Sequence, residues 1–280
     1  MASPDFICIG AQKAGTTWLY EMLAQNPSVW LPPLKEVHFF DYLDAAPARR
    51  ARRARHIAKI AGKLESGKIE KGSDGDGAAK AAFLRSLLGD HLLTPEWYGS
   101  IFDHPDARGR VTGEITPAYL ELADDPMRTL AGMLPKTKFV LVVREPKART
   151  LSQIKMAVAR SKGEVGGEKD WTYFLDKITL NSRGKYETSI PRWQQLAGPD
   201  RLLILPFSLV RDDPAGLLGQ IEDFIGASRF DGYKAMTEQV HKTKEVTVPD
   251  WVVAEVEKIA APQKDYLIEA FGEEFYQKTR

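Results

Sequence analysis

Short apolar runs alternate with stretches of helical periodicity along most of the chain. The runs that we predict to be strands are Phe6–Ile9, Val29–Leu31, Arg110–Glu114, Lys138–Val143 and Arg201–Pro206. The pattern predicts helices at Leu19–Leu23, Pro126–Met133, Trp171–Thr179, Tyr186–Leu196, Pro214–Ile225, Trp251–Ile259 and Lys264–Phe271. This alternation is typical of an α/β protein whose sheet is mainly parallel.

The turn between the first strand and the first helix has the composition of an anion site. Its sequence, GAQKAGTT from Gly10 to Thr17, encloses Lys13 between two glycines and ends in two threonines. Glycines allow a tight turn with inward-pointing N–H groups, and the N-terminus of a helix attracts anions. We therefore expect a phosphate or sulfate group to bind here.

This loop differs from the loop of a nucleotide triphosphatase. The Walker A pattern, G-x-x-x-x-G-K-[ST], places lysine directly after the second glycine and then a hydroxyl that binds Mg²⁺. Here Gly10 and Gly15 keep the spacing, but Thr16 follows the second glycine and Lys13 lies inside the loop. The pattern speaks against a P-loop nucleotide kinase, which stays an alternative.

Candidate bases follow two other predicted strands. The segment KEVHFF contains Glu36 and His38, and Glu114 ends the strand Arg110–Glu114. Because ligand sites of open parallel sheets lie beyond the carboxyl ends of strands, all three side chains are candidates for general base catalysis. The other interpretation of KEVHFF is a surface turn packed by its phenylalanines.

A second anion site is predicted after the strand Lys138–Val143. The following segment, REPKARTLS, contains Arg144, Arg149 and Ser152 around the predicted start of a helix. Guanidinium groups and a hydroxyl in such a place bind phosphate well. In a kinase this strand would end in a Mg²⁺-binding aspartate, and since it ends in arginine we expect no metal ion.

Composition limits the organisation of the chain. With 280 residues, of which 43% are hydrophobic, we expect a single domain over residues 1–280 with a basic helical insertion at about 45–94. The formal net charge of +1 argues against a nucleic-acid partner. The single cysteine, Cys8, builds no disulfide, and no run is long enough to span a membrane, so we expect a cytoplasmic location.

The insertion is rich in cations, with nine Lys or Arg residues between Arg49 and Lys71. It is interpreted either as a solvated helical excursion or as a basic rim that attracts an acidic acceptor.

Together the two anion loops and KEVHFF resemble the sulfotransferase family that uses 3′-phosphoadenosine-5′-phosphosulfate (PAPS). The likeness is greatest to the carbohydrate branch, typified by heparan sulfate sulfotransferase domains and their bacterial relatives. It implies a P-loop-like three-layer fold, in which a central, mainly parallel sheet is flanked by helices. The cofactor-binding residues that it implies are Lys13, Ala14, Gly15, Thr16, Thr17 and Trp18 for the 5′-phosphosulfate, and Arg144, Ser152, Arg149, Lys242 and Lys244 for the 3′-phosphate.

The resemblance also implies a reaction. Glu36 would deprotonate a hydroxyl or amino group of an acceptor, and Lys13 would stabilise the leaving group as adenosine 3′,5′-bisphosphate forms. His38 and Glu114 are the rival bases. We expect burial beside the phenylalanines to raise the pKa of Glu36, and helical geometry to keep Glu36 and His38 from facing one acceptor oxygen.

Two alternatives to a sulfotransferase stay open at this point. One is the P-loop nucleotide kinase, and the other is a non-catalytic protein that binds a nucleotide or a polyanion. The acceptor, which is a glycan, a lipid-linked sugar, a small alcohol or an amine, and the oligomeric state are not determined by the sequence.

Overall fold

The computed structural model describes residues 1–67, 77–161, 165, 167–180, 184–238 and 246–280. Within these residues five strands form one sheet: β1 (Phe6–Gly10), β2 (Val29–Trp30), β3 (Val111–Ile115), β4 (Lys138–Val143) and β5 (Leu202–Pro206). Their order is β2-β3-β1-β4-β5, and every pairing is parallel. All the strands therefore deliver their following loops to the same end of the sheet.

Helices connect and flank the strands. They are α1 (Thr16–Leu23), α2 (Pro47–Glu65), α3 (Gly77–Ser86), α4 (Pro95–Phe102), α5 (Asp124–Met133), α6 (Pro146–Arg160), α7 (Glu168–Leu180), α8 (Tyr186–Ala197), α9 (Leu209–Asp212), α10 (Pro214–Ile225), α11 (Asp250–Phe271) and α12 (Glu273–Lys278). The predicted α/β class, with a central parallel sheet flanked by helices, is confirmed.

The central strands are buried on both faces. Residues Phe6–Ile9 of β1 have no exposed surface, and Phe139–Val143 of β4 are at most 1% exposed. This explains why both strands are continuous apolar runs in the sequence instead of alternating ones. The ring of Phe6 also occupies the space that a Cβ atom would need at Gly113 on β3, so a glycine is required there.

The C-terminal helices differ from the prediction. The sequence predicts a break between Ile259 and Lys264, whereas α11 runs unbroken through Pro262. Its buried residues Val252, Val256, Ala260, Gln263 and Leu267 continue on both sides of that proline. A proline inside a helix costs about 3 kcal/mol or more, and the packing of this long buried face offsets that cost.

The basic insertion contains two helices that pack against each other. Between them, the guanidinium of Arg85 on α3 forms an exposed ion pair with Glu65 of α2 at 2.7 Å. Phe83 of α3 contacts the ring of Trp30 on β2 edge to face, which connects the insertion to the edge of the sheet. The single domain over residues 1–280, with its insertion at about 45–94, stays a prediction. No helix in the described part of the chain is long and apolar enough to cross a membrane.

Candidate active site

The loop that connects β1 to α1 is a tight turn with two left-handed residues. Lys13 has a φ of 72° and Gly15 has a φ of 77°. A Cβ atom at Gly15 would lie 3.3 Å from the ring of Phe207, so the glycine is needed for both conformation and space. Because the first N–H groups of a helix lack an acceptor within the helix, the start of α1 presents donors at this turn.

Two predicted cations meet at this loop. The Nη1 atom of Arg144, which follows β4, donates to the carbonyl oxygen of Lys13 at 2.8 Å. The same guanidinium lies over the ring of Phe207, with its Cζ 4.6 Å from the ring centroid. The hydroxyl of Tyr186 donates to the carbonyl of Arg144 at 3.1 Å, which holds the backbone of this residue. Arg144 is therefore fixed beside the anion loop.

The ammonium of Lys13 lies among positive charges. Its Nζ atom is 3.8 Å from the sulfur of Met156 on α6. Burial lowers the pKa of Lys13, and the charges of Arg144 and Arg160 lower it further. A bound anion would relieve this repulsion, so the charge distribution at the loop favours an anionic ligand.

The other residues of the second anion segment lie on α6. Arg149 is only 1% exposed, and its guanidinium donates to Gln153 and Thr150 at 3.0 Å each. Ser152 is partly exposed on the same helix. The structure thus places Arg149 inside the protein, where its guanidinium is bonded to side chains of α6 itself.

The remaining residues predicted to bind the nucleotide are placed as follows. Ala14 and Thr16 are buried, and Thr17 is partly exposed. The indole N–H of Trp18 donates to the carbonyl of Met236 at 2.8 Å, which attaches the segment after α10 to α1. Lys242 and Lys244 lie outside the described residues, and their role stays a prediction.

Glu36 and His38 lie in an irregular turn after β2. Both residues are left-handed, with φ values of 63° and 54°. The Nε2 atom of His38 is 3.1 Å from one carboxylate oxygen of Glu36, and Lys35 donates to the other oxygen at 2.9 Å. We predict from the sequence that helical geometry points Glu36 and His38 in different directions. This prediction is wrong, because both residues have left-handed backbone conformations and their side chains are hydrogen-bonded to each other.

Asp41 completes this group of side chains. Its Oδ2 atom is 2.8 Å from Nδ1 of His38, so both ring nitrogens of the imidazole are engaged by carboxylates. Burial lowers the pKa of His38, but the hydrogen bonds to Asp41 and Glu36 outweigh it and raise the pKa above its ordinary value. The sequence analysis missed Asp41, although a carboxylate three residues after a candidate histidine was a usable signal.

The ionisation of Glu36 differs from the expectation. Burial does raise the pKa of this carboxyl, but the hydrogen bond from His38 and the adjacent charge of Lys35 outweigh it. The pKa of Glu36 therefore lies well below its ordinary value. The carboxylate is ionised at neutral pH and can accept a proton.

Glu114 is much less accessible. It is 1% exposed, and its two oxygens accept hydrogen bonds from Tyr98 at 2.7 Å and from Thr116 at 2.6 Å. Burial raises its pKa to about 7, against the opposing effect of the two hydroxyls. Glu114 is thus enclosed below the end of β3, with both carboxyl oxygens already bonded.

A second residue missed by the sequence analysis is Arg53. It lies on α2, is 4% exposed, and donates through Nη2 to the carbonyl oxygens of Glu36 and Val37. The sequence contains a usable indication of its burial, because the spacing of Arg53, Ile57 and Ala61 places the arginine on the apolar face of the helix.

Strand order gives the site its chemistry. Cationic groups follow β1 and β4, which are neighbours. Glu36 and Asp41 follow β2, and Glu114 lies near the end of the neighbouring strand β3. Such an arrangement can bind an anionic group on one side and accept a proton on the other. Among the described residues, no group of three or more His, Cys, Asp or Glu side chains is placed to hold a metal ion.

Comparison with known proteins gives one family. The model of the Sulfotransferase family matches residues 4–231. The chain is 26% identical over 237 residues to heparan sulfate glucosamine 3-O-sulfotransferase 3B1 of Homo sapiens, covering 81% of this chain and 47% of that protein. It is 27% identical over 143 residues to heparan sulfate glucosamine 3-O-sulfotransferase 6 of Mus musculus, covering 48% of this chain and 40% of that protein. The chain thus spans less than half the length of these two relatives.

A solved structure supports the architecture. The sulfotransferase from Alicyclobacillus acidocaldarius matches with a TM-score of 0.66 at 21% identity, covering 100% of both chains. At this identity the likeness concerns the fold, and it confirms the predicted P-loop-like arrangement.

Proposed function

The chain belongs to the sulfotransferase family, and from this premise we propose that it transfers a sulfuryl group from PAPS to a carbohydrate hydroxyl or amino group. The observation that supports the proposal most is the convergence of Lys13 and Arg144 at the N-terminus of α1. The names of the relatives, which specify glucosamine in heparan sulfate, support a carbohydrate as the class of acceptor.

PAPS, when bound, supplies a sulfuryl group attached to a phosphate that leaves with its negative charge. We assign the 5′-phosphosulfate to Lys13, to Thr16 and Thr17, and to the N–H donors around Ala14, Gly15 and Trp18 at the start of α1. Arg144 and Ser152 would bind the 3′-phosphate, with Arg149 supporting α6 from inside the protein. Lys13 would stabilise the charge that grows on the leaving oxygen.

Glu36 is the base that the geometry favours. Both nitrogens of His38 are already engaged, and each ring nitrogen has only one bonding position. Glu114 is only 1% exposed, so an acceptor cannot reach it. The oxygens of Glu36 each keep a second lone pair beside their bonds to Lys35 and His38. Glu36 is ionised and partly exposed, with 32% of its side chain accessible. A carboxylate with a low pKa is a weak base, but it need only accept the proton as positive charge develops on the attacking atom.

The basic helix α2 fits an acidic acceptor. Its exposed cations include Arg49, Arg52, Arg55, Lys59 and Lys63. Arg49 lies 4.0 Å from Asp41, so this charged surface begins next to the Glu36–His38 turn. Carboxylate or sulfate groups of a glycan would be attracted to it. The cytoplasmic location stays a prediction from the sequence.

The proposal is tested by transfer of labelled sulfate from PAPS to a panel of glycans, small alcohols and amines, with and without a chelator. Glu36→Gln should lower kcat by about 10²-fold or more, because loss of a general base typically costs 10²–10⁴-fold. Glu114→Gln is the nearly isosteric comparison at the rival base. One of its two hydroxyl contacts must reverse direction, because the amide nitrogen donates, but kcat should stay near the wild-type value.

Other outcomes separate the alternatives. A Glu36→Gln variant that turns over at the wild-type rate excludes Glu36 as the base. Phosphate transfer that needs Mg²⁺ supports the kinase, and bisphosphate binding without transfer to any acceptor supports the non-catalytic protein.

A further inference from the structure

The buried face of α2 begins with a charged residue. Arg53, Ile57 and Ala61 lie one turn apart and are all buried. Ile57 and Ala61 belong to the hydrophobic core, where apolar groups suffice. Burying a guanidinium costs free energy unless its N–H groups find acceptors. An arginine at 4% exposure on this face therefore needs an explanation beyond packing.

The guanidinium of Arg53 binds the backbone of the turn that contains the proposed base. Its Nη2 atom donates to the carbonyl oxygen of Glu36 and, at 2.9 Å, to that of Val37. These two carbonyls belong to the peptide groups on either side of Val37, between the left-handed residues Glu36 and His38. From the other side, the N–H of Phe39 donates to the hydroxyl of Tyr119 at 2.8 Å.

This turn needs support from outside. Left-handed backbone is unfavourable for residues other than glycine and persists only where surrounding contacts hold it. Arg53 supplies contacts to two successive peptide groups of the turn from a single nitrogen atom. These contacts oppose a relaxation of the turn that would separate the side chains of Glu36 and His38.

We propose that Arg53 is a positioning residue, which holds the Glu36–His38 turn so that Glu36 faces the acceptor. This inference rests on the proposed function, in which Glu36 is the base. It makes the insertion helix α2 part of the catalytic architecture as well as a charged surface.

Kinetics of two substitutions test the proposal. Arg53→Met keeps the apolar stem and removes both hydrogen bonds, and it should lower kcat by about 10²-fold, the cost of a small misplacement of a reacting group. The Kd of adenosine 3′,5′-bisphosphate, measured by calorimetry, should not change, because the contacts of Arg53 are to the Glu36 turn. Ile57→Val is the matched control, since it removes one methylene group from the same buried face and no hydrogen bond of the turn, and it should keep the wild-type kcat.

A titration of His38 tests the proposal without enzymatic activity. The titratable and charged groups that act on His38 are Glu36 and Asp41 near it in sequence, Arg53 and His56 on α2, and Glu114 on β3. Arg53→Lys keeps the positive charge but has a shorter side chain, so a change in the titration reports the turn and not the lost charge. If the turn loosens, His38 loses the bond to Glu36 that raises its pKa, and the pKa measured by NMR should fall.

Two results would overturn the role of Arg53. One is wild-type kcat in Arg53→Met together with an unchanged His38 titration in Arg53→Lys. The other is a loss of kcat that Ile57→Val reproduces. If the wild-type protein transfers sulfate to no acceptor, the proposed function fails, and the His38 titration still decides whether Arg53 holds the turn.

Discussion

Three neighbouring side chains set the ionisation of Glu36. Lys35 and His38 donate to its two oxygens, and Asp41 binds the other nitrogen of His38. The hydrogen bonds favour the carboxylate more than burial disfavours it, so the pKa is lowered. These contacts keep the carboxylate of Glu36, the proposed base, ionised and in one position, but the lowered pKa makes it a weaker base.

His38→Phe should change the pH dependence of the reaction. Removing the bond from His38 raises the pKa of Glu36 toward its ordinary value of about 4.3. Since Glu36 acts as the base only when ionised, activity is lost as the pH falls through its pKa, and the acid limb should move to higher pH. The measurement is kcat against pH at saturating substrates, with circular dichroism at each pH to check folding.

The matched control for this profile is His91→Phe, because His91 is exposed. An acid limb in His38→Phe that coincides with that of the wild type would contradict the coupling between His38 and Glu36.

The loop from β1 to α1 is the element to which we assign nucleotide binding. Gly15 ends the loop in the left-handed region and packs closely against Phe207, which in turn lies under Arg144. One glycine thus affects both predicted anion segments. Segments that are remote in sequence are coupled here through a single aromatic ring.

Gly15→Ala should destabilise the protein and weaken nucleotide binding. A Cβ atom in the left-handed region costs about 1–2 kcal/mol, and here it would also press on Phe207 at 3.3 Å. Chemical denaturation measures the first effect, and calorimetry with adenosine 3′,5′-bisphosphate measures the second.

Gly132→Ala on α5 is the control, because a Cβ atom there meets nothing within 4 Å. This substitution should stabilise the protein by about 0.5–1 kcal/mol, since glycine is unfavourable inside a helix. Equal effects of the two substitutions would contradict the special role of Gly15.

At the scale of the whole molecule, the C-terminal residues Lys278 and Thr279 hold the segments that follow β4 and β5. The N–H of Glu145 donates to the carbonyl of Thr279 at 2.7 Å, and the N–H of Ser208 donates to that of Lys278 at 2.9 Å. Glu145 follows Arg144, and Ser208 follows Phe207. Arg144 and the ring of Phe207 beneath it are therefore held by the C-terminal residues Lys278 and Thr279 as well as by the sheet.

A nucleotide that binds between these elements should stabilise the whole protein. Adenosine 3′,5′-bisphosphate at a hundred times its Kd should add about 2.7 kcal/mol to the free energy of unfolding, because it binds the folded state alone. Arg144→Gln should weaken binding by about 1.5–3 kcal/mol, the scale of a charged hydrogen bond, and reduce this stabilisation. Thermal unfolding with and without the bisphosphate gives the measurement.

Arg128→Gln is the control for this experiment, since Arg128 is exposed on α5 and paired with Asp125. Stabilisation by ATP with Mg²⁺ but not by the bisphosphate would favour the kinase instead.

The sequence by itself determined the strands and the parallel α/β class, and it located the turn between β1 and α1 that we propose as the anion loop. Phe6–Ile9 and Lys138–Val143 could be recognised as strands because burial on both faces requires continuous apolar residues. The glycine spacing and Lys13 were likewise visible, because a tight turn at a helix N-terminus depends on local residues alone.

Tertiary structure alone decided how the candidate bases differ. Two left-handed residues bring Glu36 to His38, and contacts from Asp41 and Arg53 hold that turn. Glu114, which looked equivalent in the sequence, is enclosed by Tyr98 and Thr116. Burial and the direction of side-chain hydrogen bonds set these pKa values, and neither is encoded in local periodicity. The continuity of α11 through Pro262 likewise depends on tertiary packing, because buried residues on both sides of the proline hold the helix together.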